Sequence, residues 1–184
     1  MTLPNRFAKI KDRATGPRPV WDERSAIEMN AKPVVVQDME GERAKRHERT
    51  RKALRDRRIV FVDFCPGGVV VNRQDIGWIQ QGICTYEFFG SDEQFELFQS
   101  ISIGDLLVMK KSQQFTRTMR LHAYGRVFGF DLSENRDRIL LVNWTHAQGQ
   151  IEVPLLENDD MVSIHDILSV QAGLPLEFWD WLEI

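Results

Sequence analysis

Three apolar runs follow one another between Ile103 and Trp144, and their patterns differ. Leu106-Leu107-Val108-Met109 is continuous and ends on Lys110-Lys111. Met119 to Gly129 alternates with a period of two, and Ile139-Leu140-Leu141-Val142-Asn143-Trp144 is continuous again. The two continuous runs are short enough to be buried strands, and the alternating one is a strand in its own right. Gly104-Asp105 before the first run and Ser133-Glu134-Asn135-Arg136-Asp137 before the last are turn chemistry. The pattern predicts three consecutive antiparallel strands.

Other elements are shorter. Ile59 to Phe64 predicts a strand stopped by Pro66-Gly67-Gly68, with the β-prone Val69-Val70-Val71 behind it. Thr85-Tyr86-Glu87-Phe88-Phe89 reads as extended, and Ile151-Glu152-Val153 as a return strand closed by Pro154. Helices are predicted from Asp92 to Gln99 with Ser91 as cap, from Ile164 to Val170 with Ser163 as cap, and from Leu176 to Leu182. The last of these offers Phe178, Trp179 and Trp181 to the core. Five or six short strands with small helices at the connections make the expected fold class α+β, mostly β and barrel-like.

Upstream of Ile59 the pattern changes. Pro4, Gly16, Pro17 and Pro19 among five basic residues mark 1–20 as an extended arm, and Trp21 to Asn30 has room for one or two helical turns. Asp38 to Arg58 is dense in charge, with Met39, Ala44, Ala53 and Leu54 as its only apolar candidates. Glu48 stands four residues before Lys52, which favours an exposed helix. The expected organisation is therefore a basic arm with a charged helix over 1–58 and a globular domain over 59–184.

Charge supports that division. The chain of 184 residues carries a net −3, yet residues 1–58 hold 16 Lys+Arg against 9 Asp+Glu, and residues 59–184 hold 8 against 18. A basic arm on an acidic body is a pattern of chains that meet nucleic acid or an acidic partner. No apolar run approaches the roughly 20 residues that span a bilayer, and no apolar segment follows Met1, so no membrane and a cytoplasmic location are expected. Cys65 and Cys84 sit in apolar company and read as reduced core residues.

Enzyme signatures are missing: there is no Walker A loop, HExxH, Gly-x-Ser-x-Gly or dinucleotide fingerprint. His47, His122, His146 and His165 are scattered without metal-ligand spacing, and Asp63, Asp75, Glu87 and Asp105 form no recognisable carboxylate set. No catalytic residue, metal or cofactor is expected. What the sequence does concentrate is flat and amide side chains. Asn72, Gln74, Trp78, Gln80 and Gln81 share one short window, followed by Tyr86, Phe88 and Phe89, while Trp144 ends a strand beside Asn143. An extruded base needs an aromatic face and groups that pair with its edge. The structural alternative places Trp78 and Trp144 in the core.

The order Ile76-Gly77-Trp78, a helix, Ile103-x-Asp105-Leu106-Leu107-Val108-Met109-Lys110, Ala123-x-Gly125-x-Val127 and Leu141-Val142-Asn143-Trp144 resembles the EVE-like branch of the PUA-like superfamily. In particular it resembles the N-terminal target-reading domains of McrBC-type restriction GTPases, over roughly residues 59–147. The resemblance implies a pseudo-barrel that holds a flipped or modified base of DNA or RNA in a cleft beside Trp78. It also implies candidate roles. On it Trp78 lines or stacks in the pocket, Asn72 and Gln80 read the base edge, and Lys110 and Lys111 meet phosphates at the rim. The residues themselves add three candidates: Gly77 and Gln81, which with Gln80 suggest a loop presenting the Trp78 ring where backbone can approach, and Trp144 at its strand end. The competing expectation is a non-catalytic protein-interaction subunit that uses this fold as a scaffold and docks a protein partner through the basic arm.

Overall fold

A computed structural model describes residues 39–65, 73–86, 91–134, 137–145, 149–158 and 160–182. The expectations for the arm over 1–38, for Val69–Val71, Asn72, Phe88, Phe89 and His146 lie outside the described residues. Within them the chain is α+β, with seven strands in one mixed sheet and five helices.

The strands are β1 (Ile59–Asp63), β2 (Ile83–Thr85), β3 (Leu106–Gln113), β4 (Thr118–Leu132), β5 (Arg138–Thr145), β6 (Ile151–Pro154) and β7 (Val162–His165). Their spatial order is β2-β5-β4-β3-β1-β7, with β6 paired to the start of β4. The expected antiparallel run is present as β3, β4 and β5. β1 joins β3 in parallel, Ile59 beside Leu106 and Asp63 beside Lys110, and its other edge takes β7 antiparallel.

Burial explains why the apolar runs of β1 and β3 are continuous. Ile59, Phe61, Leu106 and Val108 enter one core, while Val60, Val62, Leu107 and Met109 enter a second on the opposite side of the sheet. A strand covered on both faces has no polar face to alternate with. The first core receives Phe178, Trp179 and Trp181 from helix α5 (Leu176–Trp181) and Val170 from α4 (Ile167–Gly173). The second receives Trp78 from α2 (Asp75–Gln81) and Phe98 from α3 (Asp92–Ser100).

Three expectations are corrected. Val162-Ser163-Ile164-His165 is a strand, so the helix behind it begins at Ile167 and is capped by Asp166, whose side chain accepts from the Ser169 N–H at 2.7 Å. Ser163 was the expected cap. The strand count is seven rather than five or six, because β7 was read as helix. The third concerns the boundary at Ile59. The charged helix exists as α1 (Met39–Leu54), but the compact unit begins at Asp38 and includes it. Its inward stripe is His47, Thr50 and Leu54, one apolar residue and two polar ones at helical spacing. Asp180 on α5 receives that stripe together with Arg43, as hydrogen-bond acceptor for Arg43 and partner of the His47 ring.

Candidate functional site

β1 ends at Asp63, and a narrow cleft with only about 10 Å³ of free space lies beside that end. Trp78, Tyr86 and Phe98 supply its flat walls, and Asp63, Gln74 and Thr85 its polar groups. That space is about the size of one water, so the cleft is closed to a base or any other planar group until its walls move.

Trp78 is on a helix, not on the loop expected from its glycine neighbours. Gly82 ends that helix at φ 68°, a left-handed conformation that glycine adopts without strain, and its N–H caps toward Ile79 O. Trp78 is only 5% exposed and packs in the second core, with its indole Nε1–H donating to Thr85 Oγ1 at 3.1 Å. The ring is thus both a core residue and a wall of the cleft. Tyr86 stacks on Phe98 at 5.3 Å between centroids and completes the aromatic side.

Other expected site residues divide. Gly77 lies inside α2, where an added Cβ would meet the Gln81 side-chain amide of the same helix at 3.7 Å, an ordinary contact. Gln80 and Gln81 are exposed on the same helix but do not line the cleft; Gln74, one turn earlier, does. Trp144 is half-buried against the second core, and its Nε1–H donates to Ile83 O at 2.9 Å, which ties β5 to β2. Asn72 lies outside the described residues. Lys110 is the clearest correction: it is fully buried, and its Nζ donates to Asp160 O at 2.6 Å, so it does not meet phosphates at a rim. A buried ammonium needs such compensation, and the ladder also sets Asp63 beside it. Asp63 in turn accepts from the Cys65 N–H at 2.8 Å and the Ser112 N–H at 3.2 Å, holding the chain at the mouth of the cleft. Lys111, one residue on, is half-buried.

A second polar group adjoins this one and was not foreseen. Met109 pairs with Ala123 and Lys110 with Leu121, which leaves His122 as the extra residue of a β-bulge. The bulge turns its ring against Phe64, at 4.3 Å and edge-on, with Nδ1 3.1 Å from Gln150 Nε2 and 3.8 Å from Asp75 Oδ2. Asp75 itself accepts two hydrogen bonds from Arg73, at 2.8 and 2.6 Å. Burial works to raise the Asp75 carboxyl, but the Arg73 pair outweighs it and holds the group below the usual carboxylate range. At His122 burial is the larger effect and pushes the imidazole below its ordinary value; Asp75 pulls upward, while Arg73, Arg120 and Lys111 add to the lowering. Three cations therefore surround this histidine. Bulges commonly re-aim a side chain beside a site, but the only sequence signal here was the histidine itself.

Charge along these strands is segregated. Between Asp105 and Asp131 there is no Asp or Glu, and five of the eight Lys+Arg of residues 59–184 fall there: Lys110, Lys111, Arg117, Arg120 and Arg126. Arg120 is paired with Glu152 at 3.5 Å, whereas among the described residues no ion pair involves Lys111 or Arg117. Among the described residues no group of three His, Cys, Asp or Glu is placed to hold a metal ion, and no helix is long and apolar enough to cross a membrane. No protein-family model matches the chain, and no curated protein and no solved structure shows significant similarity to it.

Proposed function

We propose that this chain is a non-catalytic nucleic-acid-binding module on a PUA-like, EVE-like pseudo-barrel, which reads a flipped or modified base of DNA or RNA. The observation that carries the reading is the adjacency of an aromatic cleft to residues 106–130 of the β3–β4 hairpin, which hold no Asp or Glu, on an otherwise acidic body. Phosphates are drawn to the cations of those strands and repelled by the rest of the surface. A base at the cleft meets Tyr86 and Trp78 as flat partners, and Gln74, Thr85 and Asp63 as the groups for its edge. The narrow cleft widens to admit it, by movement of the half-buried Tyr86 rather than of Trp78, whose indole is pinned by Thr85.

The test is binding of labelled single- and double-stranded DNA and RNA, with and without base modifications, by fluorescence anisotropy across a salt series. Each phosphate contact contributes a slope of about 0.7–0.9 in log affinity against log salt. Reversing Lys111 and Arg117 to Glu together is expected to lower the slope by about two units and the affinity by more than tenfold. Wild-type chain that binds none of these oligonucleotides at low salt overturns the proposal. So does a double variant that binds as wild type does, since affinity would then belong to residues outside the strands.

A further inference from the structure

Phe115 is fully exposed at the tip of the β3–β4 hairpin. Its turn is Gln114-Phe115-Thr116-Arg117, closed by the Arg117 N–H donating to Gln114 O at 3.3 Å. The tip is braced rather than loose. Thr116 Oγ1 donates to Gln113 O at 3.2 Å and lies 2.6 Å from Thr118 Oγ1, and Thr118 donates onward to Glu152. β3 parts from β1 at Lys110 and continues to Gln113, so the hairpin projects past the end of β1, where the cleft opens.

Arg117 takes φ 52°, a left-handed conformation that is strained for a non-glycine residue. Gly or Asn would hold the same turn with less strain. The turn instead keeps a cation two residues from the exposed ring, and Lys111 adds another on the β3 side.

We infer that Phe115 is a base-stacking residue, and that the hairpin tip grips the nucleotide strand next to the cleft, with Lys111 and Arg117 on its phosphates. An exposed ring flanked by cations and amides, with no carboxylate between Asp105 and Asp131, fits a nucleobase face followed by a phosphodiester. It fits an apolar protein groove less well, since the ring has polar Gln114 and Thr116 on either side and no apolar neighbour in the turn. This rests on the nucleic-acid reading above and extends it from one base to the strand beside it.

Phe115→Ala, Phe115→Leu and Phe115→Trp are compared with wild type for oligonucleotide affinity and thermal melting. Because the side chain is fully exposed, all four proteins are expected to melt together. Phe115→Ala and Phe115→Leu are expected to lose roughly ten- to a hundredfold in affinity, the range of base–aromatic stacking, and Phe115→Trp to bind like wild type. Wild type that binds while Phe115→Ala binds equally well overturns this inference and leaves the function standing. Full binding by Phe115→Leu overturns stacking, since Leu has bulk but no π face. A change in sedimentation of Phe115→Ala with unchanged affinity assigns the ring to protein contact and overturns it too. Wild type that binds no oligonucleotide overturns both.

Discussion

His47 on α1 and Asp180 on α5 lie 2.7 Å apart, Nε2 to Oδ1, although nearly the whole described chain separates them. The imidazole is buried and the carboxylate half-buried, and Arg43 shares the same carboxylate. The helix with the lowest proportion of apolar residues is thus held to the body by a polar clamp and by Leu54.

Asp180→Ala is expected to destabilise the chain by about 1–3 kcal/mol, the cost of leaving His47 buried without its acceptor. Denaturant unfolding measures it. The clamp is also pH-sensitive. The Arg43 hydrogen bond holds the Asp180 carboxyl below the ordinary value of about 3.9. Its contribution is complete above that value and disappears as pH falls through the lowered one. Hydrogen exchange in α1 should rise in that acid window in wild type, and already be fast at neutral pH in Asp180→Ala. Exchange that is equal in the two proteins would show that the clamp does not hold the helix.

Truncating Trp78 tests its place in the second core. Trp78→Ala is expected to cost about 3–5 kcal/mol and to lower the melting temperature, which makes it a poor probe of binding on its own. Thr85→Val, which removes only the acceptor of the indole N–H, is the milder companion. A Trp78→Ala variant that melts like wild type would contradict the burial described here.

Much of the fold was legible because apolar run length and turn residues agree from Ile103 to Trp144. Legibility fails where contacts are polar or distant. His47 and Thr50 give α1 an inward stripe that no hydrophobic pattern reveals, so the helix read as solvated. Lys110 follows an apolar strand and reads as a rim cation, yet a carbonyl fifty residues downstream lets it stay buried. Val162 to His165 was too short a strand to outweigh a serine that looks like a cap. At the site, Trp78, Gln74 and Tyr86 of the aromatic window line one cleft, whereas Gln80 and Gln81 do not. The same window suggested a loop for Trp78, from Gly77 and the amides Gln80 and Gln81, where the chain forms a helix ended by Gly82.

Gly125 on β4 is expected to tolerate no side chain. A Cβ there would stand 2.7 Å from Asn143 O and 2.7 Å from Val142 Cγ1, both on the neighbouring strand. Gly125→Ala should cost about 1–3 kcal/mol as β4 and β5 are forced apart, read as a shift in denaturation midpoint. Gly149→Ala serves as contrast for space alone: nothing lies within 4 Å of its added carbon, so whatever it costs comes from a φ of 94°.

His122 is expected to titrate below its ordinary value of about 6.5, because burial disfavours its charged form. Asp75→Asn removes the one attraction that pulls upward, and should lower the value further in an NMR titration. The unfolded chain takes up this proton more readily than the folded one, so the group's contribution to stability is present above about 6.5 and declines as pH falls toward the lowered value. An upward shift in Asp75→Asn would reverse the assignment of causes.

The parallel seam between β1 and β3 also governs how quickly the fold assembles. β3, β4 and β5 are consecutive and close through short turns, so their ladders form at little loop-closure cost. β1 must instead lie between β3 and β7, with Ile59 beside Leu106 on one side and beside His165 on the other. Such pairings raise contact order, and high contact order slows folding. The three-strand meander is then the natural nucleus, and the mouth of the cleft, built where β1 and β7 join it, is among the last parts of the molecule to take shape.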